Sequence, residues 1–308
     1  TPVVGVSAAA DQALVSDGAL VIAGGEAPAG AMPIRSAAGR LSLSGASLTH
    51  GGNIDVASGR VALAATDGDL RLEDGARISA TSRVRDFDGQ RTALDAGRVS
   101  LRAQGDVYLA TGSRVDVSGR EQANAGALSI EAGDGTVHLE GELIAATESA
   151  LADGGRLAVD VHRLDSLDAL VAHTAEFTAA QTVRVHEGDL ALSTGTTLHA
   201  HQVALSADRG DVRIDGIVDA RGISGGTVQV SAGRADGVGG HVQINGAVLA
   251  SAQADRGSGG QVEIGVSGRE ATDEAGATIG LGESARIDVA GRNAVGTADD
   301  SGRITLSA

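Results

Sequence analysis

Along most of its length the chain alternates apolar and polar residues over four to six positions and then breaks at a Gly or a Gly-Asp pair. That alternation is the period-2 signature of a half-buried strand. Three alternating stretches recur in a fixed order. The first reads GRVALAA (59–65), GRVSLRA (97–103), GALSIEA (126–132), GRLAVDV (155–161), HQVALSA (201–207), GTVQVSA (226–232) and GRITLSA (302–308). The second reads GDLRL, GDVYL, GTVHL, GDLAL, GDVRI and GHVQI, and the third GARISA, GSRVDVS, GELIAA, GTTLHA, GIVDA and ARIDVA. Between Gly97 and Gly119, Val99, Leu101, Val107, Leu109, Val115 and Val117 share one parity, while Arg98, Ser100, Arg102, Tyr108, Arg114 and Asp116 take the other. Short strands with one apolar face cannot bury that face alone. Stacked coil on coil they enclose one aliphatic core. The predicted fold is therefore all-β, a parallel β-helix of three-strand coils.

The first inward residues of successive coils fall at Leu41, Val61, Val99, Leu128, Leu157, Val183, Val203, Val228, Val262 and Ile304. They predict about ten coils, stacked into a rod of roughly 45 Å. Residues 1–40 read as the start of the solenoid or an irregular leading segment, and 41–308 as the β-helix. The tightest spacings, Leu41 to Val61 and Val183 to Val203, give a minimal coil, and longer ones carry insertions. Those at 81–95, 119–125, 147–153, 253–258 and 291–301 all follow the third strand and should stack on one edge, where repeat proteins often bind. Insertions at 233–239 and 265–276 follow the first strand instead. One segment, LDSLDALVAH (164–173), breaks the pattern: Leu167, Leu170 and Val171 have helical spacing, and Asp165 or Ser166 is placed to cap. One or two helical turns are expected near 165–173.

Composition narrows the picture. There are 46 Gly, 3 Pro, no Cys, no Trp, one Tyr and two Phe, so the core must be built from small aliphatic side chains and the chain must turn often. All 24 basic residues are Arg, which removes Schiff-base chemistry and a lysine general base. A net charge of -16 argues against nucleic acid and anionic membranes as partners. No signal peptide or long apolar run is present, and a chain beginning at Thr1 reads as a processed product or an excised piece of something longer.

These units resemble the filamentous haemagglutinin family of secreted bacterial adhesins. The resemblance spans roughly 41–308. It rests on the G-x-V-x-L-x-A / G-D-V-x-L / G-x-x-V-D-V cadence, clearest at Gly97 to Gly119, and on the run LDSLDALVAHTAEFTAAQTVRVHEGDLALSTGTTLHAHQVALSA. It implies a right-handed β-helix, two-partner secretion through an outer-membrane transporter, and attachment at the cell surface or in biofilm. The partner would be a receptor or glycan on a host or neighbouring cell. The secretion domain's Asn-Pro motifs do not occur here, which marks an internal shaft segment. Two other readings stay open: a β-helical carbohydrate-active enzyme (polysaccharide lyase or hydrolase), and a surface-filament subunit that self-associates end to end.

Several constellations invite chemistry. Arg209-Gly210-Asp211 spells a receptor tripeptide, yet Gly-Asp opens the second strand four times, at Gly68, Gly105, Gly188 and Gly210, after unrelated residues. It reads as structural, with Gly at a positive-φ corner and Asp bonding nearby N–H groups. The carboxylate pairs Asp67/Asp69, Asp86/Asp88 and Asp299/Asp300 lack the aromatic platforms of a glycan groove, so no catalytic residue is assigned. His199 and His201 lack further ligands, and no metal or cofactor site is assigned. Asp55, Asp116, Asp219 and Asp288 recur at one outward position of the third strand, separated by Ser79 and Ala145. That spacing fits avoidance of stacked like charges. Arg71, Tyr108 and His138 should align on the outer face of the second strand, with a cation–π contact between Arg71 and Tyr108. The candidate binding loop is SRVRDFDGQRTALD (82–95), with Arg83, Arg85, Asp86, Phe87, Asp88 and Arg91. Phe87 fits two arrangements: folded back onto the solenoid, or offered to a partner.

Overall fold

The structure, a computed structural model, describes residues 11–24, 38–88, 90–235, 238–268, 276–292 and 301–308. It forms two compact units, Thr1–Val161 and His162–Ala308, and each is a parallel β-helix.

In the first unit the strands Asp11–Val15, Arg40–Gly45, Arg60–Ala65, Arg98–Ala103, Ala127–Ala132 and Arg156–Val161 lie parallel in one sheet, each beside the next coil's copy. A second sheet joins Leu20–Ile22, Leu48–His50, Leu70–Leu72, Val107–Leu109 and Val137–Leu139. A third joins Asn53–Asp55, Arg77–Ser79, Arg114–Asp116 and Glu142–Ile144. Insertions of very different length leave the register untouched, so Leu41, Val61, Val99, Leu128 and Leu157 form one inward column. All five are buried. Slipping by one residue would turn every such column to solvent, which is what fixes the pairing. Four of these six strands end on a small residue, Gly45, Ala65, Ala103 or Ala132, while Asp11–Val15 and Arg156–Val161 end on Val.

The second unit repeats the plan. Its first sheet holds Ala180–Val185, Gln202–Ala207, Thr227–Ala235, Gln261–Gly268 and Arg303–Ser307. Its second holds Leu190–Leu192, Val212–Ile214, His241–Ile244 and Thr278–Leu281. Its third holds Thr197–His199, Ile217–Asp219, Ala247–Leu249 and Arg286–Asp288. Residues 233–235, read as a corner insertion, prolong the first-sheet strand. Arg234 and Ala235 then pair antiparallel with Gly239 and Val238. Among the described residues the two units hold six and five first-sheet strands. The strand Asp11–Val15 is additional to the ten positions read from the sequence.

The expected helix is Leu167–His173. The Ser166 hydroxyl caps it by accepting from the Ala169 N–H at 3.2 Å, and Leu167, Leu170 and Val171 are buried. It docks on Leu190–Leu192, where Asp168 accepts from the Ser193 N–H at 3.0 Å. This excursion changes the core. Alternation puts Val183 at the first inward position, but register places Gln181 there, opposite Val203. Gln181 donates to the Thr174 carbonyl at 3.2 Å, and its amide oxygen lies 3.2 Å from the Thr174 hydroxyl. Thr174 is the helix C-cap. The buried amide thus ties the helix end to the sheet, and Phe177, whose N–H donates to the Thr174 carbonyl at 3.1 Å, is fully buried as well.

Candidate functional site

The 82–95 segment is an antiparallel hairpin, Arg83–Phe87 with Gln90–Leu94. Phe87 pairs with Gln90, so only positions 88 and 89 connect the strands, and Asp88 has φ +51°. Asp-Gly at such a two-residue connection is among the strongest hairpin signals a sequence carries, and the segment expected as a loop is accordingly a paired hairpin. The base is anchored: the Arg83 N–H donates to Ser58 Oγ at 3.0 Å, and the Ser82 N–H to the Ser118 carbonyl at 2.9 Å. Loops after the third strand do stack here. Asp95 accepts from the Asn124 N–H at 3.0 Å, Asn124 accepts from the Asp153 N–H at 2.7 Å, and Gly119 bridges to Thr147.

Arg83, Arg85, Asp86, Asp88 and Arg91 are exposed on the hairpin. The side chain of Phe87 lies outside the described residues. Arg91 pairs with Glu121 at 2.5 Å. Beside this pair lies a cleft of about 810 Å³ lined by Arg91, Thr92, Ala93, Glu121, Gln122 and Glu148. Glu121 takes a left-handed φ of +55°, a conformation costing on the order of 1–3 kcal/mol in a non-Gly residue. Glu148 holds it there, accepting from the Glu121 N–H at 2.7 Å.

On the second sheet the predicted column forms. The Arg71 guanidinium lies 3.8 Å from the Tyr108 ring centroid. The His138 ring stacks on Tyr108 at 4.5 Å, inclined 14°. Tyr108 donates its hydroxyl to Asp106 at 2.7 Å, and Asp69 accepts from Arg71 at 2.9 Å. The bond to Asp106, burial and the Asp106 charge push the Tyr108 pKa up. Burial alone would raise the Asp106 carboxyl, but the Thr136 N–H, the Tyr108 hydroxyl and His138 outweigh it and hold that group low. Asp and Arg do converge beside Tyr108, yet Arg71 and His138 cover the ring from its two neighbouring coils. The ring therefore offers no open face on which a sugar could stack.

The tripeptide lies in the second unit. Arg209 is exposed. Asp211 is engaged twice: its N–H donates to Asp189 at 2.8 Å, and its carboxylate accepts from the His241 N–H at 2.9 Å. The first unit repeats this, the Asp106 N–H donating to Asp69 at 3.0 Å and the Thr136 N–H to Asp106 at 2.8 Å. The expected positive φ holds at only one of the four Gly-Asp corners, Gly188 at +106°. Gly210 is required by contact instead, since a Cβ there would sit 2.0 Å from the Gly188 carbonyl oxygen. Left-handed glycines stand mainly between the second and third strands, at Gly75, Gly112 and Gly195.

In the third sheet Asp116 lies between Ser79 and Ile144, and Asp219 between His199 and Leu249. Ile144, not Ala145, is thus the neighbour in register; Ala145 points inward and is buried. These carboxylates are used locally. Asp116 pairs with Arg114 at 3.1 Å, Asp219 with Arg221 at 2.7 Å and Asp288 with Arg286 at 2.8 Å. Each also accepts the N–H two residues on. His199 sits 3.8 Å from Asp219. Among the described residues no three His, Asp or Glu side chains converge to hold a metal ion. Asp299 and Asp300 lie outside the described residues. Compared with protein-family models, with curated proteins and with solved structures, the chain matches none.

Proposed function

We propose that this chain is a non-enzymatic shaft segment of a secreted bacterial surface adhesin or filament of the filamentous haemagglutinin type. It would be exported by two-partner secretion and would hold binding loops away from the cell surface for attachment to a host or neighbouring cell or within biofilm. One observation carries the reading. Asp69, Asp106, Asp189 and Asp211, at the corners before the second strand, are engaged in bonds between neighbouring coils, while the loops of the first unit gather on one edge, led by the hairpin. That division between a self-satisfied framework and a displayed edge suits a spacer. The test is attachment by cells displaying the chain with 82–95 replaced by a two-residue turn. Attachment should fall while the thermal melt of the purified protein stays close to the parent's. Retained attachment would remove the hairpin's role, and depolymerisation of an acidic polysaccharide by the purified chain would replace the shaft with an enzyme. Concentration-dependent light scattering would favour the self-assembling filament subunit.

A further inference from the structure

We infer that the cleft beside the hairpin is a docking groove for an extended peptide carrying a Lys or Arg side chain, which adds as a third strand to the edge of Gln90–Leu94. The first ground is geometric. Successive residues of a strand point to opposite faces, so a cleft lined by Arg91, Thr92 and Ala93 in a row cannot lie on one face. It runs along the strand's edge, where backbone N–H and C=O groups are presented. Among the described residues the hairpin is a two-stranded sheet with no further strand beside it, and such an edge is a template for strand addition. At a rise of about 3.4 Å per residue the lined edge extends roughly 10 Å, enough for three or four residues of an added strand.

The second ground is charge. The wall facing this edge carries Glu121 and Glu148, opposed by Arg91 alone. Arg91 pairs with Glu121, which leaves Glu148 as the surplus negative charge. The left-handed backbone at Glu121 and its N–H bond to Glu148 fix both acids on this wall. An incoming cation would pair with Glu148 and compete with Arg91 for Glu121, so the ion pair acts as a latch across the groove. The inference stands apart from the shaft reading: a peptide groove could serve any of the roles considered for this chain.

The test uses the whole chain and fluorescence polarisation of a labelled heptapeptide, Thr-Val-Thr-Lys-Thr-Val-Thr. Controls carry Glu at the centre or N-methyl groups on alternate residues. The Lys peptide should bind, the Glu peptide should bind at least about fivefold more weakly, and N-methylation should abolish binding. Glu148→Gln keeps an oxygen to accept the Glu121 N–H but removes the charge, and should weaken the Lys peptide about fivefold. Arg91→Gln should tighten it. Amide exchange at Thr92 or its strand neighbours should slow in the complex, which a merely electrostatic surface contact would not produce. Equal binding of the Lys and Glu peptides, indifference to N-methylation, or no binding at millimolar peptide would overturn the proposal. So would a dimer that Glu148→Gln dissolves, since the occupant would then be a second copy of the chain.

Discussion

Gln181 in the second unit and His50 in the first both sit in inward columns that are otherwise aliphatic. His50 lies between Ile22 and Leu72, Gln181 beside Val203, and both are fully buried or nearly so. The amide of Gln181 is satisfied by Thr174 at the end of the helix. Neither ring nitrogen of His50 makes a hydrogen bond of normal geometry, although backbone groups of Arg77 and Gly52 act on the ring. The contrast separates two uses of a buried polar group: one specifies a local departure from the coil, and the other only subtracts from the core.

The largest expected effect is at Gln181. Gln181→Ala removes the partner of a buried helix cap and leaves a void, and should cost about 3–4 kcal/mol in urea unfolding. A loss well under 1 kcal/mol would mean that the helix is not secured from within. His50→Leu should act in the opposite direction, stabilising by about 1–2 kcal/mol because a desolvated imidazole is replaced by the residue its column favours. Burial pushes the His50 pKa below 6.5, with the backbone at Arg77 and Gly52 pulling weakly upward. The unfolded chain therefore takes up a proton that the folded chain resists. Stability is full above about pH 6.5 and declines as pH falls toward the lowered folded-state value. The Leu variant should lose this step and keep only the acid loss at lower pH, where carboxylates such as Asp106 and Asp219, held low in the folded state, become protonated.

Half-exposed sites give smaller changes and set the scale for the buried pair. Asp211→Glu moves the carboxylate away from the His241 N–H and should cost about 1 kcal/mol, with cell attachment unchanged. Loss of attachment without loss of stability would restore the tripeptide as a receptor ligand. Arg71→Ala, which takes an exposed cation from the half-buried Tyr108 ring, should cost about 0.5–1 kcal/mol. A thermal-melt series would rank all four.

Strand order and inward columns were legible because alternation of Val, Leu and Ile against polar residues encodes both sheet and face. Gln181 was not. Gln reads as outward by type, and only the parity of Val183 and Val185 could have placed it inside. The helix was legible from Leu167, Leu170 and Val171, but its attachment was not, since Thr174 and Gln181 meet only once the coil closes. Ser82 to Asp95 could be marked as an insertion of unusual charge, and Asp88-Gly89 already spelled its turn. The cleft escaped because Glu121 and Glu148 come from two later coils and reach Arg91 only by stacking. The glycine corners failed for a related reason: what excludes a side chain at Gly210 is the backbone of Gly188, one coil away.

The corner carboxylates have a direction. Asp69 serves the N–H of Asp106, and Asp106 that of Thr136; Asp189 serves Asp211, and Asp211 His241. The Asp106 and Asp211 coils each receive a bond from the coil before and pass an equivalent one forward, so the joints on their two sides match. Duplication or loss of a whole coil during evolution would rebuild that joint without any compensating substitution, whereas gain or loss of part of a coil would break it. Length in such a molecule can be inherited in coil-sized steps, free of the mutual adjustment that ties together the residues of a globular core.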